Sequence, residues 1–169
     1  MGFVDAIRNG FSNYATFSGR ASRPAYWWWM LFVILASAVL SGIDLALFGA
    51  DPETGDVRHR LSGLFQLAVL LPTLGLGFRR LHDTGRPGWY YLLPFLISVA
   101  LMFVLLSGVM VATGLDMEAG TAPSAGLIVG GLGVMVLWVV QLVIFILLIW
   151  WLTRPSEAGE NAYGAPPSA

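Results

Sequence analysis

Long apolar runs alternate with short polar links along this chain, at about 26–48, 61–78, 89–113 and 126–152. As helices, the first, third and fourth exceed the ~30 Å hydrocarbon core of a bilayer, and the second is short but still within the range of spanning helices. The first opens on Tyr26, Trp27, Trp28 and Trp29, the third opens on Trp89, and the fourth closes on Trp150 and Trp151. Tryptophans placed at the ends of apolar runs mark membrane–water interfaces, so all six read as interfacial anchors. Ahead of the first run, Phe3, Ile7, Phe11 and Tyr14 recur at helical spacing, with Asp5, Arg8, Asn9, Ser12 and Asn13 between them. This pattern predicts an amphipathic helix over about 2–17, lying on the membrane surface. The fold class is therefore all-α: a polytopic membrane protein with four transmembrane helices, read as a four-helix bundle, plus an N-terminal interfacial helix. Residues 1–152 form a single membrane domain and 153–169, rich in Pro, Gly, Ser and Ala, a flexible tail ordered at most around Asn161–Gly164.

Polar and helix-breaking residues within this pattern carry the finer reading. Gly19 and Pro24 stop one helix and start the next, and Gly85 and Pro87 do the same after the second span. Pro72, followed by Gly75 and Gly77, predicts a kink. Three polar groups fall inside spans: Asp44, Gln66 and Gln141. Asp44 lies within a turn of its helix end, where it reaches water or pairs with Arg58 or Arg60. Gln141 is read first as a hydrogen bond to a neighbouring helix. Gly126, Gly130, Gly131 and Gly133 give the fourth helix a face of close approach.

Composition reinforces the membrane assignment. Of 169 residues, 57% are hydrophobic and 11% charged, and the mean hydropathy is +0.74, far from an ordinary soluble domain. A net charge of -1 speaks against a nucleic-acid partner. With no cysteine, disulfides, thiolate metal sites and cysteine nucleophiles are excluded. No zinc-protease helix, phosphate loop or serine elbow is present, so no catalytic residue, metal or cofactor is expected and an enzyme ranks last among the functional classes.

The distribution of charge says more than its sum. Arg8, Arg20, Arg23, Arg79, Arg80, Arg86 and Arg154 fall on one side of the four spans, and Arg58 and Arg60 on the other. Seven against two places both termini in the cytoplasm by the positive-inside rule. The segment Arg23-Pro24-Ala25-Tyr26-Trp27-Trp28 also resembles Arg86-Pro87-Gly88-Trp89-Tyr90-Tyr91. Either two hairpins are duplicated, or the demands of a cytoplasmic helix start produced the likeness twice.

Three motifs occur together and in order: Phe17-Ser18-Gly19-Arg20-Ala21-Ser22-Arg23 before Tyr26-Trp27-Trp28; Arg79-Arg80-Leu81-His82-Asp83-Thr84-Gly85-Arg86 before Gly88-Trp89; and Gly159-Glu160-Asn161-Ala162-Tyr163-Gly164. With them the chain resembles the bacterial family called domain of unknown function 805. That family commonly carries an acid where this chain has Ala25 and often serine where it has Pro87, so no role is built on those two positions. The resemblance implies a small multi-pass protein of the bacterial inner membrane and brings no activity with it.

Function is therefore argued from the arginine-rich end. Arg20, Arg23, Arg79, Arg80 and Arg86 converge there beside two helix N-termini, where cations do not stabilise the helices and so need another reason. An anionic lipid headgroup, or an acidic segment of a partner, is one such reason. In this reading Arg20, Arg79 and Arg86 contact the anion, Asp83 orients one of them, and His82 tunes affinity. Topology signalling with internal pairing through Asp83 is the competing account. The expected role is a binding or scaffold protein whose partners are membrane lipids and either a second copy or another membrane protein. A small oligomeric transporter or channel using Asp44, Gln66, Pro72 and Gln141 is the alternative.

Overall fold

Ser22 and Pro24 start the first membrane-length helix. The Ser22 hydroxyl accepts from Ala25 N at 3.4 Å, and Pro24 sits in the first turn, where its missing N–H costs no hydrogen bond. The computed structural model describes residues 1–51, 53–118 and 124–167. Its helices are α1 (Phe3–Ser12), α2 (Arg23–Phe48), α3 (Leu61–His82), α4 (Leu93–Glu118) and α5 (Ser124–Thr153), with no β-strand among the described residues. Four of them, α2 to α5, are long and apolar enough to cross a membrane.

Beyond the apolar span at 78 the chain stays helical as far as His82, just short of the expected stop at Gly85, with Arg79, Arg80 and His82 sitting comfortably against the partial negative charge of the helix C-terminus. Another boundary differs from the sequence pattern. The third span opens as a short 3-10 turn, Gly88–Leu92, and becomes α-helical only at Leu93. Pro94 explains this: it is tolerated in the first turn of a helix and disruptive farther in. Pro72 lies buried inside α3, which stays helical through it.

Contacts divide the chain into two compact units. One comprises Met1–Gly88 with the residues from Leu152 onward, and the other is Trp89–Trp151. The single domain over 1–152 with a separate tail is thus replaced by a partition in which the tail belongs to the N-terminal unit.

In the first unit α1 packs on α2 and α3. Gly10 lies flush on the Trp29 ring, so close that a Cβ there would meet ring carbons at 2.2 Å. Phe3 meets Trp28 edge-on at 5.8 Å, Phe11 meets Trp29 at 5.2 Å, and Tyr14 donates a 2.6 Å hydrogen bond to the Ala68 carbonyl. Part of the apolar face expected to meet lipid is therefore spent on protein, and the helix ends at Ser12 instead of 17. From Thr16 to Ala21 the chain returns along α3. Gly75 permits that approach, since a Cβ there would stand 2.8 Å from the Thr16 carbonyl oxygen.

In the second unit Ser98 Oγ lies 2.7 Å from Gln141 Oε1 and 2.6 Å from the Pro94 carbonyl oxygen. One hydroxyl proton cannot serve both acceptors; turning the Gln141 amide so that its NH2 donates to Oγ satisfies all three groups. Gln141 thus ties α5 to α4, as its mid-span position predicted. Gly133 faces Leu105, and Gly126 and Gly130 lie outside the residues whose surroundings are described. The link at 114–125 is shorter than expected, with α4 reaching Glu118, and 119–123 lie outside the described residues.

Candidate functional site

The residues singled out at the arginine-rich end do come together, but chiefly around one carboxylate. Asp83 follows the last residue of α3 and is fully buried. Its Oδ1 receives Arg20 Nε and Nη2, each at 3.0 Å, and its Oδ2 receives Arg80 Nη1 at 2.5 Å and the Ser156 hydroxyl. Both guanidinium groups then extend to carbonyl oxygens of the C-terminal segment. Arg20 donates to Glu157 O and Gly159 O, each at 2.6 Å, and to Gly164 O at 3.2 Å. Arg80 donates to Leu152 O at 3.0 Å and to Arg154 O. Charge-assisted bonds of this kind are about twice as strong as neutral ones, so the knot is a strong local constraint.

The tail expected to be flexible is consequently a docked strap over the end of α3. Glu157 N donates to the Asp83 carbonyl at 3.0 Å, and Asn161 Nδ2 donates to the His82 carbonyl at 3.0 Å and to Glu157 Oε2 at 2.7 Å. Asn161 Oδ1 in turn accepts from Tyr163 N at 2.9 Å, the local turn that asparagine commonly makes. Tyr163 stacks on His82 with 3.9 Å between centroids and 3° between planes. His82 Nδ1 lies 3.0 Å from the Gly19 carbonyl oxygen. A carbonyl can only accept, so Nδ1 carries the proton.

These contacts correct the expected anion site. Arg20 and Arg80 face Asp83 and the strap instead of the interface, and Asp83 holds two arginines where one was expected. Arg79 and Arg80 belong to the last turn of α3, so the argument that they crowd helix N-termini does not apply to them. Arg86 is half-buried, with Nη1 3.0 Å from the Thr84 carbonyl oxygen. Arg79 is 6% exposed, and its Nε and Nη2 have no hydrogen-bond partner among the described residues. Arg23 is exposed and lines a groove of about 480 Å³ with Pro24, Trp27, Trp28 and Thr153.

Of the interfacial anchors, Trp27, Trp28, Trp89 and Trp150 are exposed and Trp151 is half-buried against Tyr90. Trp29 is no anchor. It is fully buried, and its Nε1 donates to Thr73 Oγ1 at 3.0 Å, because a third consecutive tryptophan on a helix points about 200° from the first.

Asp44 is likewise neither at the water nor paired with Arg58 or Arg60. It is fully buried, accepting Leu61 N (2.9 Å) on Oδ1 and Ser62 N (2.9 Å) and Ser62 Oγ (2.7 Å) on Oδ2. A carboxylate from α2 thus caps the free amides at the start of α3, where the helix dipole also favours it. Arg60 lies over the Phe48 ring at 4.7 Å, a cation–π contact. Gln66 is on the exposed side of α3.

Sequence reasoning missed Ser156, Glu157 and Tyr163 as partners of the cluster. One signal was available: three neighbouring arginines and a single aspartate leave guanidinium donors that some other acceptor must meet. Among the described residues no cluster of metal-ligating side chains occurs.

Comparison with known proteins agrees with the architecture. No solved structure matches the chain. It is 39% identical over 94 residues to the Escherichia coli (strain K12) protein called inner membrane protein YhaI, covering 56% of this chain and 74% of that one. It is 38% identical over 87 residues to inner membrane protein YhaH of the same organism, covering 50% and 69%. A family model matches residues 14–165, from the return strand after α1 through the strap, and the chain belongs to the membrane-protein family described as protein of unknown function DUF805.

Proposed function

We propose that this protein is a membrane-embedded binding or scaffold protein of the inner membrane whose arginine-rich end faces the cytoplasm and holds anionic lipid headgroups. The observation that carries this reading is the groove at the start of α2. There an exposed arginine, Arg23, stands beside the exposed rings of Trp27 and Trp28. A guanidinium offers a fork to a phosphate, while indole rings settle at the headgroup level and lie along the acyl chains below it. The names of the two relatives, and seven arginines at this end against two at the other, support the placement.

Native mass spectrometry from nanodiscs tests it. Wild type should retain phosphatidylglycerol over phosphatidylcholine, and Arg23→Gln should lose that preference; equal retention by both overturns the headgroup reading. Preference for an acidic peptide over either lipid would transfer the groove to a protein partner. Sidedness is checked separately. The chain has no native thiol, so Ala158→Cys should be shielded from an impermeant maleimide in intact cells and Thr54→Cys should react.

A further inference from the structure

The buried cluster does not balance. Arg20, Arg79 and Arg80 bring three positive charges and Asp83 one negative, with all four residues at most 9% exposed. Both Asp83 oxygens are occupied by Arg20, Arg80 and Ser156, so this carboxylate has no place left for Arg79. Arg79 stays charged wherever it is put, because a guanidinium does not release its proton in a protein.

The unpartnered atoms are specific ones. Nε and Nη2 form one edge of the guanidinium, with two N–H groups side by side, and this is the edge that grips two oxygens on a single centre. A phosphoryl or carboxylate group matches such a fork with one oxygen for each N–H. Location narrows the choice. Gly75, Arg79 and His82 share one face of α3. Over it the return strand lies, Thr16 against Gly75, Ala21 N donating to the Arg79 carbonyl at 3.0 Å, and Gly19 O at His82. This is the arginine-rich end of the helix, where the first phosphates met by a membrane protein are those of lipid.

We propose that the Nε–Nη2 edge of Arg79 is a second, buried binding site that takes one phosphate group edge-on and completes the charge of the Arg20–Asp83–Arg80 knot. The site is separate from the Arg23 groove and stands or falls independently of it. Its chemistry is a phosphate oxygen pair, supplied by either a phospholipid phosphodiester or soluble phosphate.

The test uses the full chain, stripped of lipid in a non-ionic detergent and then given phosphatidylglycerol in mixed micelles or inorganic phosphate alone. Thermal midpoint is the readout. At least one probe should raise the midpoint of wild type and of Arg23→Gln, and neither should raise that of the double variant Arg23→Gln, Arg79→Met, in which the groove no longer contributes. A response to phosphatidylglycerol only assigns the lipid as source, and a response to inorganic phosphate assigns the soluble anion. Stripped Arg79→Met should unfold above stripped wild type, since it no longer buries an unpaired charge, and the order should reverse at saturating probe. Arg79→Lys keeps the charge and loses the fork, and should need about tenfold more probe for half the effect, or about 1.4 kcal/mol. No shift with either probe, an equal shift in the double variant, or an unchanged affinity in Arg79→Lys overturns the proposal. Loss of the groove's lipid preference in Arg23→Gln bears only on the groove.

Discussion

Two buried aspartates mark the two ends of α3, and they are satisfied in opposite ways. At its start Asp44, reaching across from α2, accepts two backbone amides and one hydroxyl and makes no salt bridge among the described residues. Beyond its end Asp83 accepts two guanidinium groups and one hydroxyl. The helix itself accounts for the difference. Its N-terminus supplies free N–H groups and a partial positive charge, so a carboxylate there is complete. Its C-terminus supplies free carbonyls and a partial negative charge, so a carboxylate there must import cations, and the cations must then find acceptors of their own. The first site closes locally, while the second recruits the return strand and the whole C-terminal strap. A buried acid in a membrane chain is therefore a functional lead only after the helix termini around it have been counted.

The largest effect that separates the two ends is expected for Asp83→Asn. It removes the charge opposing two buried guanidinium groups and should destabilise the fold by about 3–5 kcal/mol, the range for a broken buried ion pair. Denaturant unfolding in detergent, followed by tryptophan fluorescence, measures it, because Trp29 lies wholly within the first unit. Asp44→Asn keeps one acceptor oxygen but turns the other into an NH2 group that cannot accept, so a donor at the helix start loses its partner together with the charge. Its thermal midpoint should fall by about 4–8 °C, the shift of roughly 2 kcal/mol in a chain of this size. Should Asp44→Asn prove the more damaging of the two, the account of Asp44 as a self-sufficient cap is wrong.

How much of this was legible follows from the same contrast. Helices and spans were readable because apolar length and aromatic ends are properties of contiguous sequence, as is the amphipathic spacing of Phe3, Ile7 and Phe11. That Arg20, Arg79, Arg80 and Asp83 gather was readable from topology, since the link after α3 and the link before α2 share a membrane side. Which partner each would take was not. Arg20 meets Gly159 across most of the chain, and carbonyl acceptors leave no mark in a sequence because every residue carries one. Trp29 was misread because Trp27, Trp28 and Trp29 look alike as a run, yet Gly10 and Thr73 on other segments decide which ring goes inside. The order in the strap was hidden by its composition: Pro, Gly, Ser and Ala cannot build an apolar core, but they place carbonyls where guanidinium groups can reach them.

The smallest expected effect bears on that strap most directly. Ser156 gives Asp83 a third donor, and Ser156→Ala should cost only about 1 kcal/mol, the usual net worth of such a bond. Its neighbours still hold Glu157 N on the Asp83 carbonyl and Asn161 on the His82 carbonyl. If guanidinium–carbonyl bonds are what keep the strap down, Ser156→Ala should leave it docked and Asp83→Asn should free it. The Glu157 amide, which donates to the Asp83 carbonyl, gives a direct reading by hydrogen exchange in detergent. Its exchange should be slow in the native chain and in Ser156→Ala and about tenfold faster in Asp83→Asn, a change in opening equilibrium of roughly 1.4 kcal/mol. Equal rates would mean that the strap opens without regard to the charge beneath it, and that the two ends of α3 differ in their partners but not in what those partners hold together.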